Sequence, residues 1–198
     1  AEKCWTKAEH KYDVQNLKQE VDKFNKNNYQ FKKGIALMPI CFGISFTNTF
    51  LNQASALVHV YTDGSIGVST AAVEMGQGVN EKIKIAVSKT LSVSQERIRI
   101  ETTNTTRVAN TSATAASSGA DLNGNAAILA CKNILERLLK VAAEELKVSD
   151  TGALELKNEL IFHKGVKTNL IWDELIKLAY RERISLSSYA SYATPNIY

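Results

Sequence analysis

Ala54-Ser55-Ala56-Leu57-Val58-His59-Val60-Tyr61-Thr62 and Ser65-Ile66-Gly67-Val68-Ser69-Thr70-Ala71 are two strand-like runs separated by Asp63-Gly64. An Asp-Gly pair between β-branched and aromatic residues is a specific hairpin signal, because glycine accepts the positive φ that such a tight turn needs. Working outward, Trp5 to about Asn27 reads as one helix, with Val14, Leu17, Val21 and Phe24 at helical spacing. Gly34 to Thr47 is rich in β-formers but holds Pro39, which suits an edge strand or an irregular extended run. Beyond the hairpin, Val79, Ile83, Val87 and Leu91 repeat every four residues and predict a helix over 79–91. Arg97 to Thr102 resembles a strand, with Ile98 and Ile100 facing one way. The longest helix is predicted from about Asp121 to Leu146, with a buried stripe of Leu129, Ile134, Leu138 and Ala142. Ala153 to Lys167 predicts a small hairpin around Lys157-Asn158-Glu159. A short helix from Ile171 to about Arg181 and a polar extended tail from Ser185 complete the chain. Strand pairs mixed with helices, without a βαβ rhythm or an internal repeat, predict an α+β fold of mixed or antiparallel sheets with packed helices.

Composition narrows the function classes. The 198 residues carry 44% apolar side chains and a net charge of +4, enough for one ordinary core. The first 33 residues hold eight Lys/Arg and five Asp/Glu, so most of the positive excess is N-terminal. A basic helical end is ordinarily a solvated face, and no basic stripe elsewhere supports nucleic-acid binding. Cys4, Cys41 and Cys131 are odd in number and far apart, which argues against a disulfide framework, a zinc site or an iron–sulfur site built within the chain. The bland reading of the cysteines is buried or idle thiols in a reducing compartment; no signal peptide is visible, and no apolar run reaches the roughly 20 residues that span a bilayer. Asn104-Thr105-Thr106 and Asn110-Thr111-Ser112 match the glycosylation pattern, but without a secretory signal they read as coincidence.

Two stretches share a design in which a small-residue loop leads into a helix: Gly76-Gln77-Gly78, and Ala115 to Gly119. The second closes a segment, Thr102 to Gly119, in which 11 of 18 residues are Ser, Thr or Asn and Arg107 is the sole charge. A helix start leaves amides unpaired and carries partial positive charge, so small residues there let an anion approach. The hydroxyls of Thr114, Ser117 and Ser118 and the amide of Gln77 would add polar contacts. Gly and Ser before a helix are equally ordinary caps, and neither loop is a Walker or Rossmann fingerprint. Glu74 and Asp121 read as helix caps or loop anchors rather than catalytic bases. Phe46, between Ser45 and Thr47, is either a core aromatic or a stacking platform for a planar ligand. His10, His59 and His163 have no neighbours at metal-ligand spacing, and His59 reads as packed within its strand.

Taken together, the segments resemble one family. Phe42-Gly43-Ile44-Ser45-Phe46-Thr47, Phe50-Leu51-Asn52-Gln53-Ala54, His59 to Ser65, Glu74-Met75-Gly76-Gln77-Gly78, Thr114-Ala115-Ala116-Ser117 and Asp121-Leu122-Asn123-Gly124 follow one another as in xanthine dehydrogenases and related molybdenum hydroxylases. Lys23-Phe24-Asn25 and Thr194-Pro195-Asn196 fit as well, so the likeness runs from about Val21 to Tyr198, weaker from Glu144 to Leu170. The resemblance implies part of a molybdopterin-binding region: an N-terminal helix over 1–28, a pterin-contacting α+β core over 29–150, and a small hairpin, helix and tail over 151–198. It implies a molybdenum–molybdopterin cofactor, hydroxylation of a purine, related heterocycle or aldehyde with water-derived oxygen, and electron exit through iron–sulfur clusters to FAD on other modules. It makes Phe46 and Thr47 substrate contacts. Gly76, Gln77, Gly78, Thr114, Ala115, Ala116 and Ser117 become cofactor contacts, with the backbone of Ala116 near the metal but not ligating it.

The sequence also departs from the family pattern. Thr70-Ala71-Ala72-Val73 stands where a His-Gly-Gly-like run is usual, and Gly119 and Ala120 stand where animal members often carry hydroxyls. No catalytic residue is assigned in this chain: the family's glutamate base, in a Gly-Glu-Pro-Pro-like motif, and the upstream arginine and aromatic of the substrate pocket are not among its 198 residues. The chain is therefore expected to be incomplete and inactive alone, and to assemble with the remaining molybdopterin-region segments and the iron–sulfur and flavin modules in a homo-oligomer. The alternative is a non-catalytic cofactor-carrying or assembly module that keeps the fold without the glutamate.

Overall fold

The computed structural model describes residues 2–38, 40, 43–101 and 103–195. Pro39, Cys41 and Phe42 of the expected extended run, Thr102 at the end of the expected strand, and Asn196 and Tyr198 of the tail lie outside the described residues. The chain forms two compact units, Ala1–Gly43 and Ile44–Tyr198.

The first unit corrects the single helix expected there. Two helices form, α1 (Glu2–Tyr12) and α2 (Val14–Asn27), because Asp13 adopts a left-handed conformation with φ 45° and interrupts the helical ladder. Of the expected apolar stripe only Val14 is buried; Leu17 is exposed. Asn25, near the end of α2, receives the Lys33 amide on Oδ1 at 2.8 Å and donates from Nδ2 to the Lys33 carbonyl at 2.9 Å, folding the following segment back. The described residues from 31 to 47 contain no strand, so of the two alternatives for 34–47 the irregular run, not the edge strand, is formed at those positions.

In the second unit the Asp63-Gly64 signal holds. Strands β1 (Gln53–Val60) and β2 (Ile66–Thr70) pair antiparallel, with Val60 opposite Ile66. Asp63 accepts from the Ser65 amide at 2.9 Å, and Gly64 takes φ 82°. A Cβ on Gly64 would stand 2.5 Å from Asp173 Oδ1, so glycine is required twice over. Helix α3 (Val79–Leu91) then carries the chain to β3 (Ile98–Ile100), which lies parallel to β2. Helix α4 (Gly119–Glu145) packs against α3 and the sheet. The expected polar tail is in fact β7 (Ser187–Ala193), paired antiparallel along the whole of β1. The sheet order is β3-β2-β1-β7.

The core joins Val79, Ile83, Val87 and Leu91 of α3 to Ala126, Ala130, Ile134 and Leu138 of α4 and to Ala56, Val58 and Val68 of the sheet. Ala126 and Ala130, four residues apart, let this part of α4 lie close to its neighbours. Leu129, expected in this stripe, is 37% exposed because it stands one residue, about 100° of rotation, away from the row through Ala126, Ala130 and Ile134. Cys131 is fully buried among them, and burial pushes its thiol up to about 12, so it behaves as an inert core residue.

A second sheet of three strands, β4 (Leu154–Lys157), β5 (Leu160–His163) and β6 (Val166–Ile171), extends the expected hairpin by one strand and leads into α5 (Trp172–Arg181). Arg97 ties this part to the main sheet. It meets Glu159 through two parallel hydrogen bonds of 2.9 and 3.0 Å and Asp173 at 2.7 Å. The buried Trp172 donates from Nε1 to the Gly64 carbonyl at 2.9 Å. Among the described residues no helix is long and apolar enough to cross a membrane.

Candidate functional site

The turn between β2 and α3 is held from inside by two side chains. Gly76 and Gly78 take φ values of 98° and 74°, which suit glycine. The Glu74 carboxylate accepts from the Gly76 amide at 2.9 Å, the Gly78 amide at 3.0 Å and the Asn80 amide at 3.0 Å. Those bonds hold the Glu74 carboxyl below the usual glutamate range, the Asn80 amide contributing most. Gln77 donates from Nε2 to the Val73 carbonyl at 2.8 Å and accepts on Oε1 from the Met75 amide at 2.6 Å. The reading of Glu74 as a cap holds, whereas the amides expected to be open at this turn are already occupied by it.

The turn before α4 is built differently. Ala116 and Ser117 occupy the left-handed region at φ 50° and 55°. Ser118 is buried and spends its hydroxyl on the Ala115 carbonyl at 2.8 Å, so it is not an outward donor. No side-chain hydrogen bond caps α4 at Ser118, and the first amides of the helix, from Gly119 on, have no helical acceptor. One turn further along, buried Asn123 donates to the Gly119 carbonyl at 2.9 Å, and its Oδ1 has no partner among the described residues.

These two turns meet. The Val73 amide donates to Thr114 Oγ1 at 3.0 Å across 41 residues of sequence. Together they line a cavity of about 300 Å³ whose wall includes Met75, Gln77, Lys82, Thr114, Ala115 and Ser117, with Gly119 and Ala120 at the start of α4. That volume suits a small organic ligand. Of the expected contacts, Gln77, Thr114, Ala115 and Ser117 reach the wall; Gly76, Gly78 and Ala116 belong to the same turns but do not line it. Phe46 and Thr47 also stand outside the lining. Phe46 is half-buried, and its backbone is clamped by buried Asn52, which accepts from the Phe46 amide and donates to its carbonyl, both at 2.8 Å. Lys82 was not singled out in the sequence. The signal was present, since it lies three residues after Val79 and so on the same face of α3.

The wall can bind an anionic group and a polar ring edge. Lys82 offers a cation, Thr114 and Ser117 hydroxyls, Gln77 an amide, and α4 its first N–H groups. Among the described residues the lining holds no thiol, imidazole or carboxylate, so any metal there would be held by the ligand rather than by those residues. Among the described residues no group of three or more His, Cys, Asp or Glu is placed to hold a metal ion.

Likeness to known proteins places the chain in a class. A family profile described as "Molybdopterin cofactor-binding domain" matches residues 7–198, and the chain belongs to that family. It is 40% identical over 195 residues to "Xanthine dehydrogenase/oxidase" of Mus musculus, covering 98% of this chain and 13% of that protein. It is 38% identical over 186 residues to "Aldehyde oxidase 2" of Macaca fascicularis, covering 94% of this chain and 12% of that one. Among solved structures, quinoline 2-oxidoreductase from Pseudomonas putida 86 superposes with a TM-score of 0.63 at 21% identity, over 73% of this chain and 19% of that one, which shows the shared α+β fold. The chain thus spans about an eighth of the length of the curated relatives it matches.

Proposed function

We propose that this chain is a portion of the molybdenum-cofactor-binding subunit of a xanthine dehydrogenase-like oxidoreductase that hydroxylates a purine or related heterocycle or aldehyde. One observation carries the reading: two small-residue turns far apart in sequence close on a single cavity with polar groups in its wall, joined by the bond from the Val73 amide to Thr114. When bound, the cofactor would supply the redox centre at which a substrate carbon is oxidised. The chain's own residues would bind and orient it. Thr114, Ala115 and Ser117 with Lys82 and the first amides of α4 would take the phosphate, because an ammonium, hydroxyls and helix-start amides converge there. Gln77 would meet the cofactor beside the metal by exchanging one of its two loop bonds. Gly76 and Gly78 give that turn its shape, and Ala116 would bring its backbone toward the metal. Phe46 and Thr47 would contact substrate, with Asn52 fixing the backbone that presents them.

No group in the cavity wall is suited to be a general base, so the glutamate base would come from another segment. Iron–sulfur and FAD modules would carry electrons away in a cytoplasmic homo-oligomer. A second reading is a cofactor-carrying or assembly module without turnover. Molybdenum and pterin analysis of the full-length protein, with turnover on hypoxanthine and xanthine, separates the two. Cofactor with turnover supports the first, cofactor without turnover the second, and an intact protein lacking molybdenum and pterin overturns both.

A further inference from the structure

We propose that Glu74 is a positioning residue, an internal anion that shapes the 76–78 turn before any ligand arrives and thereby presents Gln77 to the cavity. The inference rests on the cofactor reading above. A helix start preceded by two glycines would ordinarily attract a ligand anion to its amides. Here the Glu74 carboxylate reaches Gly76 and Gly78 with Oε1 and Asn80 with Oε2, and so takes both the turn and the first turn of α3. A second anion at those amides would face like charge and find the donors engaged. The anionic end of a ligand is therefore directed to the other wall, where Ser117, Gly119 and Ala120 face the cavity and no side chain caps α4.

Gln77 follows from the same arrangement. Glycines at φ 98° and 74° leave the turn little intrinsic order of its own. Three amides converging on one carboxylate supply that order, and Gln77 then spans from the Val73 carbonyl to the Met75 amide with its side chain on the cavity wall. Glu74 itself does not line the cavity, so its effect on a ligand is exerted through Gln77. Glu74→Gln keeps the size but turns one oxygen into an NH2 group, which must meet either the Asn80 N–H or the Gly76 and Gly78 N–H groups, donor against donor.

The test uses the full-length protein made in a host that supplies the cofactor. Molybdenum and pterin per protomer are measured beside the thermal midpoint, for wild type, Glu74→Gln, Gln77→Ala and the double variant. Loss of a charge-assisted contact predicts about a tenfold drop in cofactor content for Glu74→Gln. Because Glu74 acts through Gln77, the double variant should fall no further than the worse single one. A Glu74→Gln protein with wild-type content overturns the proposal while leaving the cofactor reading intact, and so do losses that multiply. A wild type without molybdenum and pterin sinks both. Hydrogen exchange on wild-type protein from a pterin-deficient host tests the inference even where the variant does not fold. The Gly76, Gly78 and Asn80 amides should stay protected without cofactor, and unprotected exchange overturns it.

Discussion

The turn before α3 puts glycine at both of its left-handed positions, Gly76 and Gly78, whereas the turn before α4 puts Ala116 and Ser117 there. The first turn is filled by its own carboxylate; the second has no capping side chain. In sequence the two look like variants of one device, small residues ahead of a helix. In the structure they divide the work. One is relaxed in its backbone, and its Gly76, Gly78 and Asn80 amides are taken up by Glu74. The other holds residues in a conformation that costs about 1–2 kcal/mol each for a side chain beyond glycine, and keeps its helix start open. Under the cofactor reading, the strained turn with open donors would receive the anionic end of the ligand, and the turn held by Glu74 would form the wall beside it.

The contrast breaks most readily at Gly78. Gly78→Val forces a β-branched residue to φ 74° and should destabilise the full-length protein by about 2 kcal/mol in denaturant unfolding. An unshifted midpoint would mean that the first turn is not fixed in this conformation. Lys82 comes next. If anions are steered to the second turn, Lys82→Glu reverses the charge of a side chain lining the cavity and should cut molybdenum and pterin content about tenfold, the size expected for a charged contact. Lys89→Glu, at the far end of α3, is the control. Equal losses in both would show a general charge effect instead. A smaller effect of opposite sign is expected at Ala116. Ala116→Gly relieves left-handed strain but frees the unfolded chain, for a net gain of up to about 1 kcal/mol. A destabilised Ala116→Gly would contradict the strain assigned to this turn.

How much of this division could be read in the sequence depended on whether the cause was local. The four-residue repeat of α3 and the Asp63-Gly64 hairpin were legible because spacing and turn chemistry are local. Strand β7 was not, since Ser187 to Ala193 has little apolar alternation and owes its order to seven register partners on β1, more than a hundred residues away. Helix α4 was legible in extent and in Ile134, Leu138 and Ala142 of its buried stripe; only Leu129 was misplaced, because Ala126 and Ala130 carry that part of the face. Of the site, the glycine and serine turns were visible. That Glu74 fills one of them, and that Lys82 stands in the wall of the cavity they share, required knowing how the chain turns back at both helix starts.

Acidity offers the mildest way to separate the turns. The Glu74 carboxyl is held below its ordinary value of 4.5 by the amides it accepts from. A depressed value in the folded state means that the carboxylate's contribution is complete above about 4.5 and is lost as pH falls below it, when a proton must be taken up at the expense of those bonds. The second turn contains no carboxylate cap to titrate. Lowering the pH from neutral through this window should therefore reduce exchange protection of the Gly76, Gly78 and Asn80 amides by a few-fold, after correction for intrinsic rates. The amides of Leu122 and Ser118, bonded to the Ser118 and Ala115 carbonyls, should keep theirs. Parallel loss at both turns would point to general acid unfolding and remove the electrostatic distinction between them. Selective loss at the first would tie its shape to one titrating carboxylate, Glu74.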